Sequence, residues 1–536
     1  MPVILPKHGG SILRISDKMA FYSVAFFCFV TVFLILHELT GRLCPKYQWI
    51  IRLLAGLTFY TYISGFRIVF VIASALSIWK GSLLIGHASS EYKSLRKSEG
   101  LSKEDKNNLK AKYNRKKKLY VATVIVFNLA ILIITKYFLP VAGHPIALPV
   151  GISFYTLMAV SYIVDIYGAK YEPQDNPAKV MLYLCWFPQL VQGPINRYDL
   201  VSSDLYKNYK LTAPAFRYAF YCFLFGAVKK YAIADLLAPM VNSCLNNDSA
   251  SYPGSYLVFG ALMFAIEQYA DFSGGIDMAM GVSLLFGIKM NDNFRQPYFS
   301  TSLAQFWRRW HITLGSFMRD YVFYPFVTTK PVSKLNKVIA KRFGNHAART
   351  VIGGISNLLV FALVGLWHGP EKHYLMWGLY NGFIIAISDG LAPVFSTLNR
   401  KLGIEEDNKG LYCFRVVRTF AIIVFAGYFD VIGPVHTSLA CFVNTVAHFD
   451  LRLGLQMIGQ MVSDNITSPQ AIVTALIAVI LLVINSVLKE KGRSPLQNIC
   501  SRFYLLRWVV CFSLMVLLLY SFTVSSGIQG FMYAAF

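Results

Sequence analysis

Acidic side chains are scarce in this chain: 27 Asp and Glu stand against 51 Lys and Arg over 536 residues, and charged residues of both signs make up only 15%. With a hydrophobic share of 55%, so little charge excludes a water-soluble fold, which would lack the polar cover for that much apolar surface. The nine cysteines show no Cys-x-x-Cys spacing and are scattered mostly through apolar runs, among them Cys28, Cys185, Cys222 and Cys511. That excludes a disulfide framework or a thiolate metal site and leaves small buried hydrophobes. A Gly-x-Ser-x-Gly elbow is missing, so the serine nucleophile that motif presents is not indicated. No His-x-x-x-His pair with an acidic third ligand accompanies the histidines, which argues against a metal centre involving His311, His368 and His373. Low-complexity linkers, a convincing repeat and a soluble insert are absent too. The first apolar run has no small-residue cleavage site and continues into Gly41-Arg-Leu-Cys-Pro45, so it reads as a retained span rather than a signal peptide.

What is present is one apolar run after another: residues 20–39, 51–86 (two spans hinged near Ser64-Gly65), 119–139, 148–166, 214–234, 255–288, 351–367, 373–392, 413–432, 470–487 and 505–524. Each is long enough to cross a bilayer, so the expected fold is all-α, a polytopic membrane domain of about eleven crossings that fills residues 1–536. The net charge of +24 is spread over short loops between spans. It reads as positive-inside topology, not as a nucleic-acid surface. The segment 88–118, with Lys112, Arg115, Lys116, Lys117 and Lys118 abutting the next span, is expected to be a cytoplasmic loop; counting back through three spans puts the N-terminus outside. Lys330 to Arg349 marks a second cytoplasmic segment. Between 170 and 213, and again between 288 and 350, the apolar pieces are short and cut by proline and glycine, as in Phe187-Pro-Gln-Leu-Val-Gln-Gly-Pro194, Gln296-Pro297 and Tyr324-Pro325. Such pieces suit re-entrant or interfacial helices around an enclosed cavity, with residues 295–350 on the cytoplasmic side.

The richest chemistry lies in Ser302-Leu-Ala-Gln-Phe-Trp-Arg-Arg-Trp-His311 and Gly365-Leu-Trp-His-Gly369. The spacing from Ser302 to Tyr324 predicts one amphipathic helix opened by a capping box of Ser302 and Gln305. Its apolar face would hold Leu303, Phe306, Trp310, Leu314 and Phe317, with Arg308, Arg309 and Arg319 on the polar side. His368 ends an apolar helix before Gly369-Pro370. Burial there favours neutral imidazole while a helix C-terminus favours the cation. A neutral His368 could take a hydroxyl proton, whereas the plainer reading is a core histidine bonded to a carbonyl. His311 has the same two readings, the plainer one being an interfacial anchor. Asp165, Glu267, Asp271 and Asp277 sit inside apolar runs, either to shape a hydroxyl-binding cavity or to tie helices together.

As an ordered set, Pro149-Val-Gly-Ile-Ser-Phe-Tyr-Thr156, Ser161-Tyr-Ile-Val-Asp165, Phe187 to Pro194, Asp271-Phe-Ser-Gly274, Trp307-Arg-Arg-Trp-His311-Ile-Thr-Leu-Gly315, Arg319-Asp-Tyr-Val322 and Gly365 to Gly369 resemble the membrane-bound O-acyltransferase (MBOAT) family. The likeness is to its bacterial branch, with the alginate O-acetylation and teichoic acid D-alanylation subgroups. It implies a ring of transmembrane helices around a central tunnel, and an acyl group passed from a cytoplasmic thioester to a hydroxyl outside. By motif match His368 would be the family's catalytic histidine, acting as general base, and His311 the second histidine, orienting or polarising the thioester carbonyl. Trp307, Trp310, Trp367, Asp271 and Ser273 would line the tunnel or touch substrate, and Arg308 and Arg309 would meet phosphates of lipid headgroups or of the donor's pantetheine arm. Tyr533, in Phe531-Met-Tyr-Ala-Ala-Phe536, would be an acyl relay, although an alanine pair interrupts the aromatic pattern there. No bound cofactor or metal is expected. The donor would be acetyl-CoA or a carrier-protein thioester, and the partners an extracytoplasmic acyltransferase or hydrolase-like protein, an acyl carrier protein and membrane lipids. The first expectation is thus O-acetylation of a secreted or surface polysaccharide from the bacterial cytoplasmic membrane. D-alanyl transfer to teichoic acid is the second, since the segment after Arg319 lacks a glycine-rich continuation. A transporter or lipid scramblase is the third, and it would show paired halves with matching interruptions, which are not found.

Overall fold

The computed structural model describes residues 21, 23–97, 102–138, 148–493 and 504–532. Regular structure among them is helical, apart from one isolated antiparallel bridge between Phe294 and Trp310. The chain divides into two compact units, the first built from residues up to Phe220 with Ala279–Asn291, the second from Tyr221–Met278 and Asp292–Met532, with the last four residues of the chain falling outside the described ones.

The first unit contains α1 (Val24–Leu43), α2 (Gln48–Ser64), α3 (Ile68–Arg96), α4 (Lys103–Ile133), α5 (Ile152–Tyr167), α6 (Pro177–Cys185) and α7 (Tyr198–Tyr206). Gly65, at φ +57°, breaks α2 from α3 where the hinge was expected. The basic segment 88–118 is not the loop that its charge implied. Its residues extend α3 to Arg96 and start α4 at Lys103, because Lys, Glu and Leu are good helix formers and Ser102 opens α4 with a capping box to Asp105 (3.1 and 3.2 Å). Helix α5 is buried around most of its girth. Arg52 is fully buried and spends its guanidinium on backbone carbonyls at the end of α7, Leu205 (2.9 Å) and Lys207 (2.8 Å), and on that of Phe286 (3.1 Å). Carbonyls that a helix end leaves without intrahelical donors are satisfied in this way.

The second unit takes in α8 (Ala213–Lys229) from Tyr221 onward, a π-turn at Lys230–Ala234, α9 (Asp235–Cys244) and α10 (Gly254–Leu285) as far as Met278. Then follow α11 (Leu303–Arg309), α12 (Ile312–Met318), α13 (Lys330–His368), α14 (Lys372–Lys401), α15 (Lys409–Val431), α16 (Val435–Ala447), α17 (Leu451–Ser463), α18 (Pro469–Glu490) and α19 (Tyr504–Val524). Gly344, at φ +87°, kinks α13 between its basic and apolar parts. Helices α13 and α14 approach closely through glycine: a Cβ on Gly378 would strike the Phe361 carbonyl oxygen, and one on Gly365 the Tyr374 carbonyl oxygen. Small residues allow this backbone contact, which lays the last turns of α13 against the start of α14.

Eight helical segments among the described residues are long and apolar enough to cross a membrane, against about eleven expected. The bent α2–α3 pair counts once, α5 and α8 are short at 16 and 17 residues, and α10 carries Glu267, Asp271 and Asp277.

Candidate active site: two histidines in an aromatic cluster

His368 is the last residue of α13 and is 5% exposed. Gly369 is extended and ends the helix, and α14 begins again at Lys372. The short return lays Tyr374 and Trp377 of α14 against the imidazole, with ring centroids at 5.9 and 5.2 Å, and Trp367 flanks it at 5.3 Å. The histidine is thus enclosed by aromatic edges and faces, a setting that excludes water and strengthens whatever hydrogen bonds form inside.

His311 is 4% exposed and lies at a break. The single helix expected from Ser302 to Tyr324 is interrupted at Trp310-His311, with His311 in the left-handed region at φ +47° and ψ +53°. The physical reason is a competing strand-like segment. Arg295 N donates to Arg309 O (2.9 Å) and Ile312 N to Asn293 O (3.0 Å), while Phe294 packs edge-on against Trp310 at 5.1 Å. The expected apolar stripe is nevertheless buried at every position, Leu303, Phe306, Trp310, Leu314 and Phe317. Ser302 caps α11 by accepting from Gln305 N (3.1 Å), but the Gln305 side chain turns back to Thr301 N (2.7 Å) instead of closing the box on Ser302. A non-glycine residue held left-handed costs of order 1–3 kcal/mol, and here Asn293 supports it. Its Oδ1 takes Thr313 N (3.1 Å), Thr313 Oγ1 (2.9 Å) and His311 Nδ1 (3.1 Å). Burial pushes the His311 pKa down to about 3, so its imidazole is neutral at physiological pH.

Trp367 joins the two histidines: its ring lies 6.2 Å from His311 and 5.3 Å from His368. Trp307 joins the same cluster by an edge-on contact with Trp377 at 5.3 Å and is held by Nε1 donating to Asn381 Oδ1 (3.2 Å). Two imidazoles thus lie about one tryptophan in a buried aromatic cluster with Trp307, Tyr374, Trp377 and Phe272, an arrangement of groups that can accept and donate protons. A family model described as membrane-bound O-acyltransferase matches residues 108–429, a stretch that holds both histidines. The chain belongs to the membrane-bound O-acyltransferase family. It is similar to a "probable alginate O-acetylase" of Pseudomonas aeruginosa, 30% identical over 76% of this chain and 71% of that one. A peptidoglycan O-acetyltransferase of Helicobacter pylori is 29% identical over 45% of this chain and 47% of its own. A teichoic acid D-alanyltransferase of Bacillus subtilis is 29% identical over 53% of this chain and 69% of its own. The protein is therefore a multi-pass membrane acyltransferase.

Around this candidate site of the acyltransferase the other expected residues divide. Trp307, Trp310 and Trp367 fall in the aromatic cluster. Arg309 does not remain available for phosphates: Nη1 pairs with Glu490 (2.9 Å) and donates to the Gln296 carbonyl (3.3 Å), whereas Arg308 is exposed. Asp271 and Ser273 turn toward two buried lysines of the α8 end, Lys230 (2.6 Å) and Lys229 (3.0 Å). Phe272 between them packs edge-on against His311 at 4.9 Å. Lys229 also pairs with Asp277 (2.5 Å) and Lys230 with Asp235 (2.8 Å). Asp271 and Asp277 thus tie α10 to the end of α8, the plainer of the two readings, whereas Glu267 is buried with its Oε2 without a hydrogen-bond partner among the described residues. Asp165 pairs instead with Lys170 in the loop after α5 (3.4 Å). His373 donates through Nδ1 to the Phe429 carbonyl (2.8 Å). Tyr533 lies outside the described residues.

Sequence reasoning missed Asn293, Phe272, Tyr374, Trp377 and the lysine pair. The lysines were visible as charges inside an apolar run. Asn293 had no signal, since a lone asparagine beside a proline-cut segment reads as a turn residue.

Proposed function

We propose that this acyltransferase moves an acetyl group from a cytoplasmic thioester toward hydroxyls of a secreted or cell-surface polysaccharide, working in the bacterial cytoplasmic membrane with its N-terminus outside. The observation that carries the reading is the pairing of His311 and His368 about Trp367 inside a buried aromatic cluster. In the step envisaged, the hydroxyl oxygen attacks the thioester carbonyl carbon as His368 takes its proton. The C–O bond forms, the C–S bond breaks, and the proton passes to the departing thiolate. An imidazole is a competent base for this when it is neutral, and a thioester needs no further activation. Exposed Arg308 is the cation left to meet a phosphate of the donor or of a lipid headgroup. An acyl carrier protein and an extracytoplasmic acyltransferase or hydrolase-like protein are the partners this route would use. The teichoic acid relative supports a second reading, D-alanyl transfer from a carrier protein.

The test is transfer by the purified protein in nanodiscs supplied with radiolabelled acetyl-CoA, comparing wild type, His368→Ala and His311→Ala. Label reaching protein or a polysaccharide acceptor in wild type, and lost in folded His368→Ala, is the expected result. Undiminished labelling in that variant removes His368 as base. Label taken only from a D-alanyl carrier protein moves the assignment to the second reading.

A further inference from the structure

The contacts of Asn293 decide which nitrogen of His311 carries the proton. Thr313 N is a backbone amide and can only donate, so the Asn293 atom it meets at 3.1 Å is the carbonyl oxygen, Oδ1. Thr313 Oγ1 reaches the same oxygen at 2.9 Å. His311 Nδ1, 3.1 Å from that oxygen, therefore faces an acceptor and must bring a hydrogen. We propose that Asn293 is a positioning residue that holds His311 in its Nδ1–H tautomer, so that His311 meets the acyl donor with the lone pair of Nε2.

Two further features fit a position built for acceptance. Asn293 Nδ2 is buried without a hydrogen-bond partner among the described residues, while Oδ1 takes three donors. The left-handed backbone of His311, between the bridge at Trp310 and the start of α12, presents Nδ1 to that oxygen. The chemistry that follows differs from carbonyl polarisation, which needs an N–H aimed at the thioester. In this tautomer Nε2 accepts. Its partner is an N–H or O–H: an amide of a pantetheine-type arm or the incoming hydroxyl. This inference rests on the acyltransferase reading for its substrate but not for its tautomer.

The experiment is 15N spectroscopy of the full-length protein in nanodiscs with labelled histidine, the His311 signals assigned by their loss in His311→Gln, alongside kinetics of Asn293→Leu and Asn293→Asp. Wild type is expected to show Nδ1 protonated and Nε2 bare. Asn293→Leu should move the population toward Nε2–H and lower kcat about 10- to 100-fold with KM little changed. Asn293→Asp keeps an acceptor oxygen and the tautomer, but its charge raises the imidazole pKa and shifts the acid limb of the pH–rate profile upward. An Nε2–H signal in wild type overturns the proposal. So does an unchanged tautomer in Asn293→Leu, or a changed tautomer with wild-type kcat. If Asn293→Leu does not fold, the His311 nitrogen signals of Asn293→Asp decide: protonation at Nδ1 upholds the assignment, and Nε2–H with a bare Nδ1 overturns it. Expected spectra with no transfer of any acyl label would uphold the tautomer assignment and count against the substrate reading instead.

Discussion

At the scale of single residues, burial rather than neighbouring charge controls the site. His311 sits among Phe272, Trp367 and Asn293, where its pKa falls to about 3 from the ordinary 6.5 because the charged form cannot be solvated. Between those values the unfolded chain binds a proton that the native state does not, so stability drops as pH falls through that window. Above about 6.5 both states are neutral and the site contributes no pH dependence. The unfolding midpoint of wild type should therefore fall more between pH 7.5 and 5 than that of His311→Gln, whose side chain does not titrate. Equal slopes in a thermal-shift series would contradict the assignment. His368 stood out as a candidate from its place before Gly369-Pro370, because an ionisable group closing an apolar helix is costly, and the structure buries it there. Its partners Tyr374 and Trp377 were not, since they come from a second helix whose face toward α13 depends on packing.

Among the elements, the α13–α14 pair positions His368, and its geometry depends on glycine. Gly378→Ala should destabilise by about 1–3 kcal/mol, as the new methyl meets the Phe361 carbonyl and neither backbone can yield cheaply. Activity should fall with it because Trp377 moves off His368; a wild-type melting temperature would show that the helices are not held at that contact. The second element-scale device is the lysine pair at the end of α8. Lys230 neutralises Asp235 and Asp271, and these same carboxylates accept from the backbone of Gln529 (3.4 Å) and Met532 (3.0 Å), while Gly530 O accepts from Lys230 (3.1 Å). Lys230→Met would leave two buried acids without their cation, costing about 3–5 kcal/mol. It should also release the segment after α19, read as faster proteolytic clipping near Gln529. Clipping at the wild-type rate would mean that the triad does not hold that segment. Periodicity placed α11 and α12 on a single apolar stripe correctly but joined them into one helix, because the competing hydrogen bonds come from residues 293–295 and no helical template includes them.

For the whole molecule, the proposed orientation is open to direct measurement. With Cys500, which lies outside the described residues, and the thiols exposed among those residues, Cys28, Cys44 and Cys413, replaced, a cysteine at Val24 should react with an impermeant reagent in intact cells, and one at Glu104 only after permeabilisation. The reverse pattern would invert the topology and place the basic ends of α3 and α4 outside, against the positive-inside tendency. Length, apolar runs and charge placement were enough to establish a polytopic helical membrane protein, because the cost of exposing backbone and charge to lipid is felt residue by residue along the chain. The ordered motifs were enough to indicate the family, since each keeps its residue types and spacing. Only the tertiary structure decided that the basic segment 88–118 is mostly helix, that Arg309 is spent on Glu490, that Asp271 and Ser273 face lysines, and that Asn293 holds His311. Those outcomes depend on which groups meet after distant segments pack, and a buried charge or imidazole takes its state from those neighbours rather than from its neighbours in sequence.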